Sequence, residues 1–107
     1  MNLKDLKNVP CEKNPDALSK EQIQEYLGEL NQWALEGNKI KKIFKFPDFK
    51  SALEFVNKVG GVAEEGSHHP DIPISYNKVE LILWTHRVSN LSVNDFIIAA
   101  RIDEIDR

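Results

Sequence analysis

Apolar residues recur along this chain with two different periods, and the switches between them mark its elements. From Ser19 onward, Ile23, Tyr26, Leu27 and Leu30 keep the three-to-four spacing of a helix. Ser19 and Gln22 stand three apart where that run begins, the pattern of a capping box. The period then falls to two. A short strand is expected over residues 32–36, around Trp33. A second is expected over 39–46, with Ile40, Phe44 and Phe46 on one face and Lys41 and Lys45 on the other. Gly37-Asn38 between them is a turn pair that predicts a hairpin.

Pro47-Asp48 opens the next helix, with Asp48 as its N-cap. Phe49, Ala52, Leu53, Val56, Val59 and Ala63 form its apolar stripe. Gly60 and Gly61 each cost a helix up to about 1 kcal/mol relative to alanine. The spacing nevertheless resumes at Val62 and Ala63, so the helix is expected to reach Glu65, with close packing at the glycines. A third strand spans 71–76, where Pro73 marks an edge. Asn77-Lys78 turns the chain, and Tyr76 is expected to pack at the strand end. Residues 79–86 give the clearest strand: Val79, Leu81, Leu83 and Thr85 point one way, Glu80, Ile82, Trp84 and His86 the other. After a loop over 87–91, Ser92 and Asp95 form a second capping box. The helix that follows runs to Ile105 and is apolar almost all round, through Phe96, Ile97, Ile98, Ala99, Ala100 and Ile102. One small domain covers only part of such a helix, so a subunit interface is expected, in a homodimer or homotetramer.

The order is α-β-β-α-β-β-α. It predicts an α+β single domain: a four-stranded antiparallel sheet with three helices packed on one face. Residues 19–107 form that domain. Residues 1–18, with Pro10, Pro15 and mixed charge, are expected as a polar, irregular lead, part of it loosely held.

A chain of 107 residues with 41% hydrophobic positions can bury a core. The net charge of −3 gives no bulk attraction for nucleic-acid phosphates. One cysteine, Cys11, excludes an intrachain disulfide and fits a reducing compartment. The first residues are charged, with no apolar run behind them. Neither a signal peptide nor a membrane span is expected, and a cytoplasmic location is. No Gly-rich phosphate loop or serine nucleophile elbow is present.

The chemistry concentrates in Glu64-Glu65-Gly66-Ser67-His68-His69-Pro70 and in Trp84-Thr85-His86, which together hold all 3 histidines. Imidazole titrates near neutral pH and so suits proton transfer. Three readings are open. The histidines are structural, hydrogen-bonded in a core or loop; or they bind zinc; or they are metal-free acid–base groups beside a cavity. For zinc, adjacent His68 and His69 diverge, and Cys11 is remote in sequence.

The spacing Glu64-x3-His68-His69-Pro70-x5-Tyr76-x9-His86-x8-Asp95 resembles the signature of the pterin-4a-carbinolamine dehydratases. Trp33, Phe46-x-Asp48-Phe49, Tyr76-Asn77-Lys78-Val79, Thr85-His86 and Leu91-Ser92-x2-Asp95 also stand where that family has them. The resemblance covers roughly residues 19–105. It implies removal of water from a 4a-hydroxytetrahydropterin, such as 4a-hydroxytetrahydrobiopterin, to give a quinonoid dihydropterin in cofactor recycling. No metal or organic cofactor is implied. His68, His69 and His86 would be the catalytic set, with His68 and His86 as the acid–base pair and His69 orienting the pterin. Ser67, Trp84, Thr85 and Arg87 would line the pocket. Glu64 would bind the pterin or support a histidine, unless it is a solvated carboxylate near a helix end. Trp84 is equally accounted for as a core or interface residue, and Asp95 as a helix cap. The resemblance also implies an alternative: animal members are dimerisation partners of a homeodomain transcription factor, so a non-catalytic partner of another protein is a second reading. The chain departs from the family at Glu65, where lysine is common, at Ser67, where an acid is common, and at Asn90, where glycine is common. Asparagine tolerates the positive φ such a turn requires.

Overall fold

The structure, a computed structural model, describes residues 3–106. The first two residues of the expected lead and the last of the expected domain lie outside them. Alternation builds the sheet. Strand β1 (Ala34–Glu36) and strand β2 (Lys39–Lys45) pair antiparallel through the two-residue Gly37-Asn38 loop. Gly37 there takes φ +62°, a conformation that glycine adopts at no steric cost. The first strand starts later than expected because Gln32 is in the left-handed region, at φ +64°. Strand β3 (Ile74–Ser75) and strand β4 (Lys78–Leu83) complete an antiparallel sheet of order β1-β2-β4-β3.

The third strand is much shorter than its expected span. Before it, the chain keeps an isolated bridge from Asp71 to Ile82, and Pro73, with no N–H to donate, contributes only its carbonyl, which accepts from Glu80 N at 3.0 Å. The turn falls one residue early, at Tyr76-Asn77. Tyr76 takes φ +53° and is 66% exposed, so it does not pack at the strand end. Asn77 holds the turn by donating its side-chain N–H to Phe46 O at 2.9 Å.

Three helices carry the apolar stripes onto one sheet face. Helix α1 (Lys20–Gly28) starts at the expected capping box: Ser19 Oγ accepts from Gln22 N at 3.2 Å, and Ser19 N donates to Gln22 Oε1 at 2.9 Å. Helix α2 (Phe49–Gly66) is capped by Asp48, whose Oδ1 accepts from Ser51 N at 2.8 Å. It runs unbroken through Gly60-Gly61, but no atom packs closely on either glycine. The buried face keeps Ala52, Val59 and Ala63 of the expected stripe but is centred on Phe55, and Phe49 and Leu53 are exposed. Phe55 takes the central place, with ring centroids 4.7 Å from Phe44 and 5.1 Å from Phe46.

Helix α3 (Val93–Asp103) starts at the Ser92/Asp95 capping box. Its apolar residues are buried within one chain, against α2, the sheet, and Tyr26 of α1, whose ring stacks on Phe96 at 5.3 Å. A 3-10 turn of the lead (Leu3–Asn8), through buried Leu6, covers it further. Most of the apolar surface of this helix is thus covered within one chain, with Ala100 left half-buried. The lead is irregular but tied down: Asn94 and Arg101 of α3 hydrogen-bond its backbone. Among the described residues no helix is long and apolar enough to cross a membrane.

One inward position of β2 is a cation. Lys42, between Ile40 and Phe44, is 7% exposed, while its neighbour Ile43 faces outward at 58%. The Lys42 ammonium donates to Asn31 O at 2.7 Å and Asp103 Oδ1 at 2.8 Å. Asp103 also accepts from Trp33 Nε1 at 3.0 Å. Removing one partner of such a pair costs about 3–5 kcal/mol, whereas replacing both with apolar groups is close to neutral. Asp103→Ala should therefore lower the unfolding free energy by about 3 kcal/mol, and the double change Lys42→Met with Asp103→Leu by much less. Urea denaturation measures both; a double variant as unstable as the single one would contradict this reading.

Candidate active site

The end of α2 delivers the first two histidines. Ser67 takes φ +51° and ψ +38°, the left-handed cap that ends many helices. Ser67 N donates to Glu64 O at 3.3 Å and His68 N to Ala63 O at 3.1 Å, which satisfies carbonyls of the last turn. The chain leaves the helix there, and His68 Nε2 comes to 2.6 Å from Asp95 Oδ1 at the start of α3. A carboxylate only accepts, so we assign the shared proton to Nε2, which leaves Nδ1 as the exchanging nitrogen.

Asp95 is fully buried and its second oxygen is also occupied. Oδ2 accepts from Thr85 Oγ1 at 2.8 Å and from Ser92 N at 2.9 Å. Thr85 Oγ1 and Ser92 Oγ are 2.7 Å apart. Thr85 spends its one proton on Asp95, so Ser92 is the donor to Thr85. The sequence pattern accounts for Asp95 as a cap. The structure shows it capping α3 and holding His68 with the same carboxylate. It also supplies the acid beside His68 that Ser67 does not.

Strand β4 ends at Leu83, whereas its alternation predicts a strand that reaches His86. Thr85 is instead fixed by a bridge to Asn90, with Thr85 N donating to Asn90 O at 2.9 Å. His86 opens a 3-10 turn (His86–Val88), which Ser89 closes at φ +49°. The positive φ of this loop thus falls on Ser89 rather than Asn90; the side chain of Asn90 accepts from Leu91 N at 2.8 Å. The ring of His86 stacks on Trp84, with centroids 3.8 Å apart at 30°. Lys39 Nζ lies 4.8 Å from the Trp84 ring centroid. His69 is held more loosely: its Nε2 lies 2.8 Å from Glu64 Oε2, and both groups are exposed.

His68, His69, His86, Ser67, Trp84, Thr85 and Arg87 line one cavity of about 830 Å³. Glu64 does not line it and reaches the site only through His69. Arg87 lines it but donates its guanidinium to Pro15 O. Sequence reasoning missed part of the wall: Pro10, Cys11, Glu12 and Lys13 of the lead, and Asn94 and Arg101 of α3. No periodicity or motif marks the lead residues. Gly66 admits this wall, since a Cβ there would stand 2.6 Å from Ile98 Cδ1 and 3.2 Å from Cys11 Sγ.

A sheet backed by helices, with imidazoles from two connections lining one cavity and one of them held by a buried carboxylate, defines an α+β protein with a histidine-lined cavity. The family model for pterin 4 alpha carbinolamine dehydratase matches residues 16–105, and the chain belongs to that family. A Rickettsia bellii protein provisionally named pterin-4-alpha-carbinolamine dehydratase is 43% identical over 103 residues, covering 94% of this chain and 91% of its own length. A Roseiflexus protein with the same provisional name is 48% identical over 88 residues, covering 82% of this chain and 95% of its own. The transcriptional coactivator/pterin dehydratase of Brucella melitensis matches in structure with a TM-score of 0.78 at 30% identity, over 82% of this chain and 96% of its own. A pterin dehydratase-like protein described as a RuBisCO assembly factor of the alpha-carboxysome shares the fold, with a TM-score of 0.59 at 22% identity, over 68% and 87% of the two chains.

Cys11 is the only thiol in the cavity wall. Burial pushes its pKa up; the nearby Arg101 charge opposes this less strongly. The thiolate is the reactive form, so it is scarce near neutral pH. At pH 8, iodoacetamide should label Cys11 more slowly in the folded protein than in the urea-unfolded protein. Equal rates would show that the wall does not shield the thiol.

Proposed function

We propose that this chain dehydrates a 4a-hydroxytetrahydropterin to the quinonoid dihydropterin by histidine acid–base catalysis. The observation that supports it is the convergence of His68 and His86 on one cavity from two separate connections, each held by its own contact. Loss of water needs one proton delivered to the leaving 4a-hydroxyl and one removed from N5. Two imidazoles supply both transfers without a redox change. Each well-placed transfer is worth about 10²–10⁴-fold. Asp95 is a positioning residue that fixes the tautomer and direction of His68. His69, exposed and tethered to Glu64, serves to orient the pterin. Metal chemistry has no step to perform in this scheme.

The test is dehydratase turnover of synthetic 4a-hydroxytetrahydrobiopterin against its spontaneous loss of water. His68→Ala and His86→Ala should each lower kcat by about 10²–10⁴-fold with KM little changed. His69→Ala should mainly raise KM, and Asp95→Asn should lower kcat more than it affects KM. Unchanged kcat in the His68/His86 double variant would rule out the scheme. Turnover should also survive exhaustive chelation; an apo protein revived only by zinc would replace it. A wild-type chain that leaves the spontaneous rate unchanged would favour the second reading, a non-catalytic partner. That role is suggested by the coactivator and assembly-factor descriptions of its structural neighbours.

A further inference from the structure

The family model begins at residue 16, yet part of the cavity wall lies before it. Pro10, Cys11, Glu12, Lys13 and Pro15 line the same space as the three histidines. This segment has no helix or strand to fix it, so its backbone must be held from outside. The side chain of Asn94 does so twice. Glu12 N donates to Asn94 Oδ1 at 2.8 Å, and Asn94 Nδ2 donates to Glu12 O at 2.8 Å. Asn94 is 5% exposed, so neither bond competes freely with water. Arg101 Nη2 donates to Val9 O at 2.7 Å, and its Nε to Lys7 O at 3.2 Å. Arg87 donates to Pro15 O at the far end.

The positions of these donors matter. Asn94 precedes Asp95, the residue that holds His68, and Arg87 follows His86. The segment is therefore tied to the same two elements that carry the acid–base groups. Its ties go to backbone atoms, and Glu12 and Lys13 line the cavity between them.

We propose that residues 9–15 are a substrate-binding strap, and that Asn94 and Arg87 are its latches. Arg87 then serves the substrate by holding the strap, not by touching the pterin. This rests on the pterin reading above. The strap adds ground-state contact and takes no part in proton transfer, so its loss weakens binding without slowing the chemical step.

The test uses the full chain and two measurements. Steady-state turnover of 4a-hydroxytetrahydrobiopterin by Asn94→Ala should show KM raised roughly three- to tenfold, the effect of losing one or two net hydrogen bonds, with kcat within about twofold. Amide hydrogen exchange across residues 11–14 of the unmodified protein should slow when 7,8-dihydrobiopterin binds. Arg87→Ala, on an exposed turn, should give the same KM shift and serves where Asn94→Ala fails to fold. Dihydrobiopterin binding with no change in exchange, together with an unchanged KM in the variant that folds, would overturn the strap alone. A fall in kcat with KM constant would overturn it too, and make Asn94 a support of Asp95. An unmodified protein that neither binds dihydrobiopterin nor turns over would overturn the strap together with the dehydratase reading.

Discussion

A carboxylate buried away from water must be met by hydrogen bonds at both oxygens, because hydration worth several kcal/mol is lost on entering the interior. Asp95 is in that position, and its partners come from three parts of the chain. His68 arrives from the end of α2, Thr85 from the exit of β4, and the Ser92 amide from the start of α3. None of the three elements can move without uncovering the charge. The same contacts that close the core therefore aim an imidazole at the cavity. The Ser92–Thr85 hydroxyl bond extends the constraint by fixing which oxygen donates to which.

The three imidazoles are held in three different ways, and the differences follow from burial. His68, mostly buried, has a charged partner at 2.6 Å. His86 is exposed on a short turn, where a side-chain hydrogen bond would compete with water; its ring is fixed by stacking on Trp84, backed by the Lys39 ammonium. His69 is tethered only to an exposed glutamate, and such pairs contribute little at the surface. A ring that transfers protons must keep its place in both charge states, which suits the first two. A ring that contacts a bound molecule can adjust, which suits the third.

Much of this was legible in the residues. Period-two alternation located β2 and β4, and two capping boxes located the starts of α1 and α3. The histidines and their neighbours pointed to one site. Reading failed where a backbone detail or a distant partner decides. Pro73 and the left-handed Tyr76 reduce β3 to Ile74–Ser75, which alternation cannot foresee. Lys42 faces inward because Asp103, 61 positions on, and Asn31 O receive it, so Ile43 is the residue left outside. Part of the cover over helix α3 is a turn of the lead, through Leu6, that no helical or strand period foreshadows.

The lead carries the weakest sequence signal, for a physical reason. Periodicity reports side chains that seek burial, whereas this segment is held by backbone atoms that accept from Arg87, Asn94 and Arg101 or donate to Asn94. Such anchoring leaves no mark on the anchored residues; it shows only in the donors, which look like ordinary polar positions on an apolar helix and a loop. Asn94 and Arg101 interrupt the apolar run of α3, Asn94 as a weak helix former and Arg101 as a charge at a half-buried position. Once their acceptors are known, those interruptions make sense as the means by which one helix carries a carboxylate for His68 on one turn and fixes a wall of the same cavity with its neighbours.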